Sequence, residues 1–290
     1  MAVSDARSPV GKALPGLNLT RQSLDAILKY PWGHGENAAN LEKWGYYQTE
    51  KDVFDWVREE RPLLRRSLTA EIMDWADDIT FAIHDLTDFY RAGRIPIDRC
   101  HGKVSVERER LARGMFARKP KWRSSRKAYE DALSEIVEEF RFSPDQMYTG
   151  SVEDQAKLFD FSTSLIRYFV EAIHLRARPK AAESLVEVDA APRRGVEVLK
   201  QFIWEYVIDN PDLAVPQQGQ RQAIRIVFRT LLHAALDGVW HLFPPPYSNS
   251  VARIGKSEAV RLVSDCVAGM TEKEVMTFYR SLRGISNSRG

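Results

Sequence analysis

Glu71-Ile72-Met73-Asp74-Trp75-Ala76-Asp77-Asp78-Ile79-Thr80-Phe81-Ala82-Ile83-His84-Asp85-Leu86-Thr87-Asp88 decides the fold class, because it scans as a long amphipathic helix with acid concentrated on one side. At about 100° per residue, Asp74, Asp77, Phe81, His84, Asp85 and Asp88 fall within an arc of roughly 100°. Ile72, Trp75, Ala76, Ile79, Ala82, Ile83, Leu86 and Phe89 take the opposite side. One face is expected to bury and the other to present carboxylates. Solvated helix faces favour Glu and Lys, whereas Asp is a poorer helix former. Five Asp with no Lys between 72 and 90 therefore fit a metal or phosphate site as well as they fit plain solvent exposure.

The same periodicity extends outward in both directions. Spaced apolar residues between Pro or Gly punctuation predict helices near 50–60, 67–92, 103–117, 123–140, 152–176, 192–209, 217–242, 255–269 and 271–284. Asn18 or Thr20 is placed to cap a further helix over about 20–29, which Pro31 would end. Residues 31–48 mix Gly, Asn and aromatics and read as an ordered loop, while 1–16 read as a flexible lead-in. The strand-like stretch is Ser184-Leu185-Val186-Glu187-Val188, which suggests at most a small β-hairpin near 178–190. The fold class is all-α. The organisation expected is the lead-in, a helical domain over 17–175, and a C-terminal helical region over 176–290 packed on it.

Composition narrows the function classes. Forty-two Lys and Arg against forty Asp and Glu leave a net charge of +2, which gives no strong electrostatic case for nucleic acid as the main ligand. A basic stretch from Arg108 to Lys127, interleaved with Phe116 and Trp122, leaves nucleic acid possible but unsupported, with solvation as its ordinary role. Cys100 and Cys266 have no metal-ligand spacing and suggest no disulfide framework. No apolar run approaches the roughly 18 residues of a membrane span, and the first residues lack the regions of a signal peptide. These features point to a cytoplasmic protein with no membrane association.

Several separated blocks then resemble one family. Gly16-Leu17-Asn18-Leu19-Thr20-Arg21, Leu28-Lys29-Tyr30-Pro31-Trp32, Lys43-Trp44-Gly45, Met73-Asp74-Trp75-Ala76-Asp77-Asp78-Ile79 and His84-Asp85-Leu86 are similar to the bacterial deoxyguanosine triphosphate triphosphohydrolases, in that family's order. Leu199-Lys200-Gln201, Trp204-Glu205-Tyr206-Val207-Ile208, Gln218-Gly219-Gln220, Val263-Ser264-Asp265 and Val267-Ala268-Gly269-Met270-Thr271 continue the resemblance. It implies an HD-domain phosphohydrolase-like helical fold and cleavage of a deoxynucleoside triphosphate, dGTP favoured, to deoxynucleoside and triphosphate. It implies Mg²⁺ or Mn²⁺ as cofactor, since a divalent cation withdraws charge from phosphate oxygens and lowers the pKa of bound water.

By the same resemblance Asp77 is the metal-ligand aspartate, Phe81 and Asp85 line the sugar pocket, and Lys29, Tyr30 and Lys43 lie near the phosphates. Phe81 stands where the family usually has Tyr, which removes a hydrogen bond worth about 0.5–1.5 kcal/mol. The family's other metal ligands, a His and a His-Asp pair, and its catalytic His/Glu pair belong to a segment N-terminal to the Gly-Leu-Asn-Leu-Thr block. The expectation is an N-terminally truncated fold with no catalytic residue of its own. It would be inactive or incomplete alone, and its partner would be a second copy or a chain supplying the absent segment. The alternative is a non-catalytic nucleotide-binding or regulatory subunit. His84-Asp85 could also be taken as the defining His-Asp pair, with His34 upstream and Asp131 downstream, but its flanks align it with the later helix.

Overall fold

The computed structural model describes residues 17, 19–59, 61, 62, 64–102, 105–120, 125–140, 148–177, 183–245, 247, 248 and 255–284. The lead-in expected over 1–16 lies outside them, as does the middle of the basic stretch at 121–124. Ten α-helices are described: α1 (Arg21–Ala26), α2 (Lys51–Arg58), α3 (Leu68–Arg91), α4 (Val106–Arg118), α5 (Arg126–Glu139), α6 (Val152–Glu171), α7 (Ala190–Ile203), α8 (Pro211–Leu236), α9 (Lys256–Ala268) and α10 (Glu272–Leu282). The all-α class is as expected, and the one sheet among the described residues is a two-stranded antiparallel hairpin of β1 (Ile173–Leu175) and β2 (Val186–Val188).

Short-range chemistry sets the ends of the elements. Thr20 caps α1, Ser67 caps α3 by accepting from the Ala70 amide, and Ser151 caps α6 by accepting from the Asp154 amide. Thr271 and Glu274 form a capping box at the start of α10. Two sequence boundaries are corrected. The helix expected over 152–176 ends at Glu171, and Ile173-His174-Leu175 turns into a strand because Val186–Val188 offers it a ladder partner. The helix expected to begin at 217 begins at Pro211 behind the Asn210 cap, and Pro216 lies inside it; Trp240–Leu242, expected as its end, is a separate 3₁₀ turn. Proline at the first helical position is favourable, since that amide has no intrahelical acceptor. Pro216, one turn further in, lacks the amide that would bond the Asp212 carbonyl and sets its ring against that carbonyl, the ordinary cost of a proline inside a helix.

The chain divides into two compact units between Val207 and Ile208. In the first, α3 packs against α6 and α7, and α5 packs against α7. Tyr129, Phe140, Phe169, Phe202, Ile83 and Leu86 are fully buried there. The Trp75 indole N–H donates to the Phe169 carbonyl at 2.9 Å, pinning α3 to α6. Glu71 accepts from the Ser184 hydroxyl at 2.6 Å and from the amides of Leu185 and Val186 at 2.7 and 3.1 Å, tying the hairpin to the first turn of α3. In the second unit α8 packs against α9 and α10 around Val227, Leu231, Phe243, Ala259 and Val263. No helix among the described residues is long and apolar enough to cross a membrane.

The phase of α3 follows the pattern of its sequence. Trp75, Ile79, Ala82, Ile83 and Leu86 are buried, while Asp77, Phe81, His84 and Asp88 are exposed. The inward face is narrower than periodicity alone suggested: Ile72 and Ala76 are exposed and Phe89 is half-buried. Ala76 sits on the margin of the stripe, and the first turn directs Ala70 inward instead of Ile72.

Candidate functional site

The outer face of α3 is met by a locked loop over residues 28–47. The Trp32 indole is buried, and its N–H donates to the Lys43 carbonyl at 2.8 Å. The Gly45 amide donates to the Trp32 carbonyl at 2.9 Å. Gly33 and Tyr46 form a parallel bridge. Glu36 closes the loop by accepting from the Gly33 amide and the Tyr46 hydroxyl, both at 2.7 Å. Those two bonds, the Gly33 amide first, hold the Glu36 carboxyl below its ordinary value; burial and the Glu36 carboxylate push the Tyr46 hydroxyl up to about 12. Gly45 is required sterically, since a Cβ there would lie 2.1 Å from the Tyr30 carbonyl oxygen. The Tyr46 ring stacks on Phe54 of α2 at 4.1 Å between centroids, which anchors the loop to a helix.

This loop carries Lys29, Tyr30 and Lys43 to one edge of α3. The Lys29 ammonium lies 2.6 Å from the Asp74 carboxylate and 2.9 Å from that of Asp77. Arg66, in the approach to α3, donates to Asp74 at 2.6 Å and to the Lys29 carbonyl at 2.7 Å. The Tyr30 ring has two cations near it, the Lys43 ammonium at 5.5 Å and the Arg66 guanidinium at 5.9 Å from its centroid. A shallow pocket of about 320 Å³ opens beside them, lined by Tyr30, Glu42, Lys43, Trp44, Gly45, Tyr46 and Tyr47.

Burial opposes the Lys29 charge, but its bonds to Asp74 and Asp77 raise its pKa above the usual lysine value. Burial likewise opposes the Asp74 charge and is outweighed by the Lys29 hydrogen bond and the Arg66 charge, so that carboxyl is lowered.

Lys29, Tyr30, Lys43 and Asp77 are thus brought to one place, and Phe81 and Asp85 continue from Asp77 along the same helical face. Asp85 lies two turns, or about 12 Å, beyond Asp77 along the axis. Phe81 is 46% exposed, and among the described residues no hydrogen bond or ring contact joins it or Asp85 to the loop. Burial first and the neighbouring Asp88 second raise the Asp85 carboxyl above its ordinary value.

Two residues at the site carried no role in the sequence reading. Arg66 had no signal beyond its place before the helix cap. Lys200, inside the Leu199-Lys200-Gln201 block, pairs with Asp78 at 2.7 Å. Four of the acidic groups on α3 therefore meet cations: Asp74, Asp77, Asp78 and, through Arg91 at 3.2 Å, Asp88.

The donor set does not by itself fit a divalent ion. Among the described residues no group of three or more His, Cys, Asp or Glu could hold a metal. The position next to Asp77 where a cation would sit is taken by the Lys29 ammonium. His34, invoked by the alternative His-Asp reading, packs edge-on against Trp44 at 4.7 Å.

The basic stretch is satisfied largely within the chain. Arg108 donates to the Cys100 carbonyl and the Ser134 hydroxyl, Arg110 and Arg118 pair with Glu205, Lys119 pairs with Glu197, and Arg126 pairs with Glu130. Tyr206 is buried under the Arg110 guanidinium and donates to Glu107, whereas Trp204 is 44% exposed beneath Arg118.

A helical body with one small hairpin, whose residues 186–281 match the phosphohydrolase-associated domain, places the chain among the all-α HD-type phosphohydrolase folds. Relatives narrow this further. A deoxyguanosinetriphosphate triphosphohydrolase-like protein of Corynebacterium efficiens is 30% identical over 295 residues, covering 95% of this chain and 65% of the relative. The protein of that name from Streptomyces coelicolor is 29% identical over 280 residues, covering 93% of this chain and 64% of its own, and that from Shewanella woodyi is 25% identical over 311 residues, covering 92% and 64%. The chain is similar to the deoxyguanosinetriphosphate triphosphohydrolase-like proteins over nearly all of its own length, and it spans just under two thirds of the length of these relatives.

Proposed function

We propose that this chain forms the phosphate- and sugar-facing part of a deoxynucleoside triphosphate site, with dGTP as the favoured ligand, and that its 290 residues alone do not turn the nucleotide over. The observation that carries the reading is that Lys29 and Arg66 meet the Asp74–Asp77 turn of α3 while the Arg66 guanidinium and the Lys43 ammonium both lie over the Tyr30 ring. Cations around an aromatic ring at the mouth of a shallow pocket suit a phosphate tail, because fixed positive groups stabilise phosphoryl oxygens without reorganising. Phe81 offers an apolar edge for the sugar, and the half-buried Asp85 accepts from its hydroxyl.

Asp77 is the chain's proposed ligand for Mg²⁺ or Mn²⁺. With its carboxylate held by Lys29, it binds such an ion only when further ligands displace the ammonium. Those ligands would come from an additional segment or from a partner chain. A regulatory subunit that binds nucleotide without cleaving it is the second reading, favoured by the same Lys29–Asp77 pair.

Release of inorganic triphosphate from dGTP with Mn²⁺, followed beside calorimetric dGTP binding, tests the proposal. Expected are saturable binding, weakened at least about tenfold by Lys43→Ala together with Arg66→Ala, and negligible release. Turnover that disappears with Asp77→Ala would show a complete centre in this chain. Absence of binding by any deoxynucleoside triphosphate would remove the nucleotide site altogether.

A further inference from the structure

The outer face of α6 carries an apolar seam that its own unit leaves uncovered. Val152, Ala156, Phe159, Thr163, Ile166 and Val170 are spaced alternately four and three residues apart, the repeat of a coiled-coil contact line, and fall within roughly 80° of one another around the helix. All six are exposed, Val152 at 84%, Phe159 at 70% and Val170 at 54%. The opposite face of the same helix buries Leu158, Phe161, Leu165 and Phe169, so the seam is a second apolar stripe and not a misplaced core. A surface helix ordinarily carries one such stripe, and an uncovered contiguous one marks a contact surface.

The charges beside the seam identify the occupant. Asp160 and Arg167 lie on the same flank, and among the described residues neither has an ion pair or hydrogen bond. Their positions are symmetric about a point next to Thr163. When two copies of one helix pack antiparallel about a two-fold axis, residues equidistant from the axis on the same flank face each other. An axis beside Thr163 sets Asp160 of one copy against Arg167 of the other, twice, and sets Val170 against Ala156. A seam with apolar side chains on both sides of its axis and opposite charges at equal distances from it is complementary to itself.

We propose that α6 is a homodimer interface, in which a second copy of this chain packs antiparallel along the Ala156–Val170 part of the seam with two Asp160–Arg167 pairs across a two-fold axis beside Thr163. The placement is independent of the nucleotide reading, because the seam lies on a different helix from Asp77 and the loop that meets it.

Sedimentation of the 290-residue chain over the micromolar range reads the association directly. A monomer–dimer equilibrium is expected, weakened at least about tenfold by Phe159→Glu, the size of loss typical of a buried aromatic anchor. Because Phe159 is exposed, circular dichroism of that variant should match the parent, as should its Tm at concentrations where the parent is monomeric, while at dimer-forming concentrations the parent alone gains stability from association. Asp160→Arg alone should weaken the dimer by opposing like charges, and Asp160→Arg with Arg167→Asp should restore it.

Thr163→Cys, oxidised with copper–phenanthroline, should cross-link to itself across the axis. Glu153→Cys should not, since its counterpart would be about 30 Å away and a disulfide requires Cα atoms within about 7 Å. A monomer at every concentration, as expected if some other segment covers the seam, would overturn the proposal. So would a dimer indifferent to Phe159→Glu, or a charge exchange that fails to restore association.

Discussion

The Lys29 ammonium lies 2.9 Å from the Asp77 carboxylate across 48 residues of sequence, and the same ammonium reaches Asp74 at 2.6 Å. One lysine thus fastens the loop after α1 to the outer face of α3 and fills the position of a cation beside the proposed metal ligand. Arg66 completes the junction from the other side of Asp74.

The junction has a predictable pH dependence. Asp74 has a folded-state pKa below its ordinary 3.8, because the Lys29 bond and the Arg66 charge outweigh burial. A carboxyl lowered in this way stabilises the fold above its unfolded pKa, and that contribution is lost as pH falls through the folded value. The stability difference between the parent chain and Asp74→Asn should be full near neutrality and should shrink as pH drops below the ordinary value. Urea unfolding at pH 7 and at pH 3 measures it; an unchanged difference would mean that the junction is not held by charge.

Asp85 should behave in the opposite sense. Its folded pKa is raised, by burial first and by Asp88 second, so its contribution is favourable below the unfolded pKa and is lost as pH rises through the folded one. Asp85→Asn should therefore raise Tm at neutral pH and have little effect in acid. If Asp85 accepts from the sugar, the same variant should bind dGTP more weakly, the opposition of stability and function expected at a site. Thermal scans and calorimetry on one preparation separate the two effects.

Gly45→Ala should destabilise the loop by about 1–3 kcal/mol, the usual cost of forcing extra volume into packed surroundings. The clash is with the Tyr30 carbonyl, a backbone atom that cannot swing aside, at 2.1 Å. Chemical denaturation gives the cost. Loss of the Lys43 and Tyr30 geometry should also lower nucleotide affinity, whereas an unchanged Tm would show that the loop relaxes freely.

The Asp25–Arg58 pair is the buried ion pair between α1 and α2, at 2.6 Å with side chains 3% and 7% exposed. Arg58 also donates to the carbonyls of Pro62 and Arg65 at 2.7 and 2.5 Å. Arg58→Met leaves a buried carboxylate with only the more distant Arg61, at 3.7 Å, and should cost about 3–5 kcal/mol. Adding Asp25→Asn should recover part of the loss by removing the uncompensated charge. Equal stability of the single and double variants in urea would contradict this.

Much of the helical frame was legible because its signals are local. Thr20, Ser67, Ser151 and Thr271 announce helix starts within four residues of the bonds they accept, and the inward face of α3 repeats every 3.6 residues whatever surrounds it. Where local and distant chemistry compete, the local reading failed. Ile173-His174-Leu175 continues the periodicity of α6 yet forms a strand, because Val186–Val188 lies alongside it. Pro216 has the form of a helix breaker yet sits within α8, whose start is set by Asn210.

The sequence alone determined the all-α class, the phase of α3 and the placing of Asp77, Phe81 and Asp85 on one outward face, since each follows from spacing within a single helix. The tertiary structure alone decided what those residues meet. Read along the chain, the aspartates of α3 look uncompensated; folded, Asp74, Asp77 and Asp78 face Lys29, Arg66 and Lys200. Helical periodicity is set by the backbone over a few residues, but an ion pair between Lys29 and Asp77 depends on the path of the intervening loop, which is held by Trp32, Gly45 and Tyr46 packing together. No spacing rule encodes that path, because it exists only once the loop is folded against its helix.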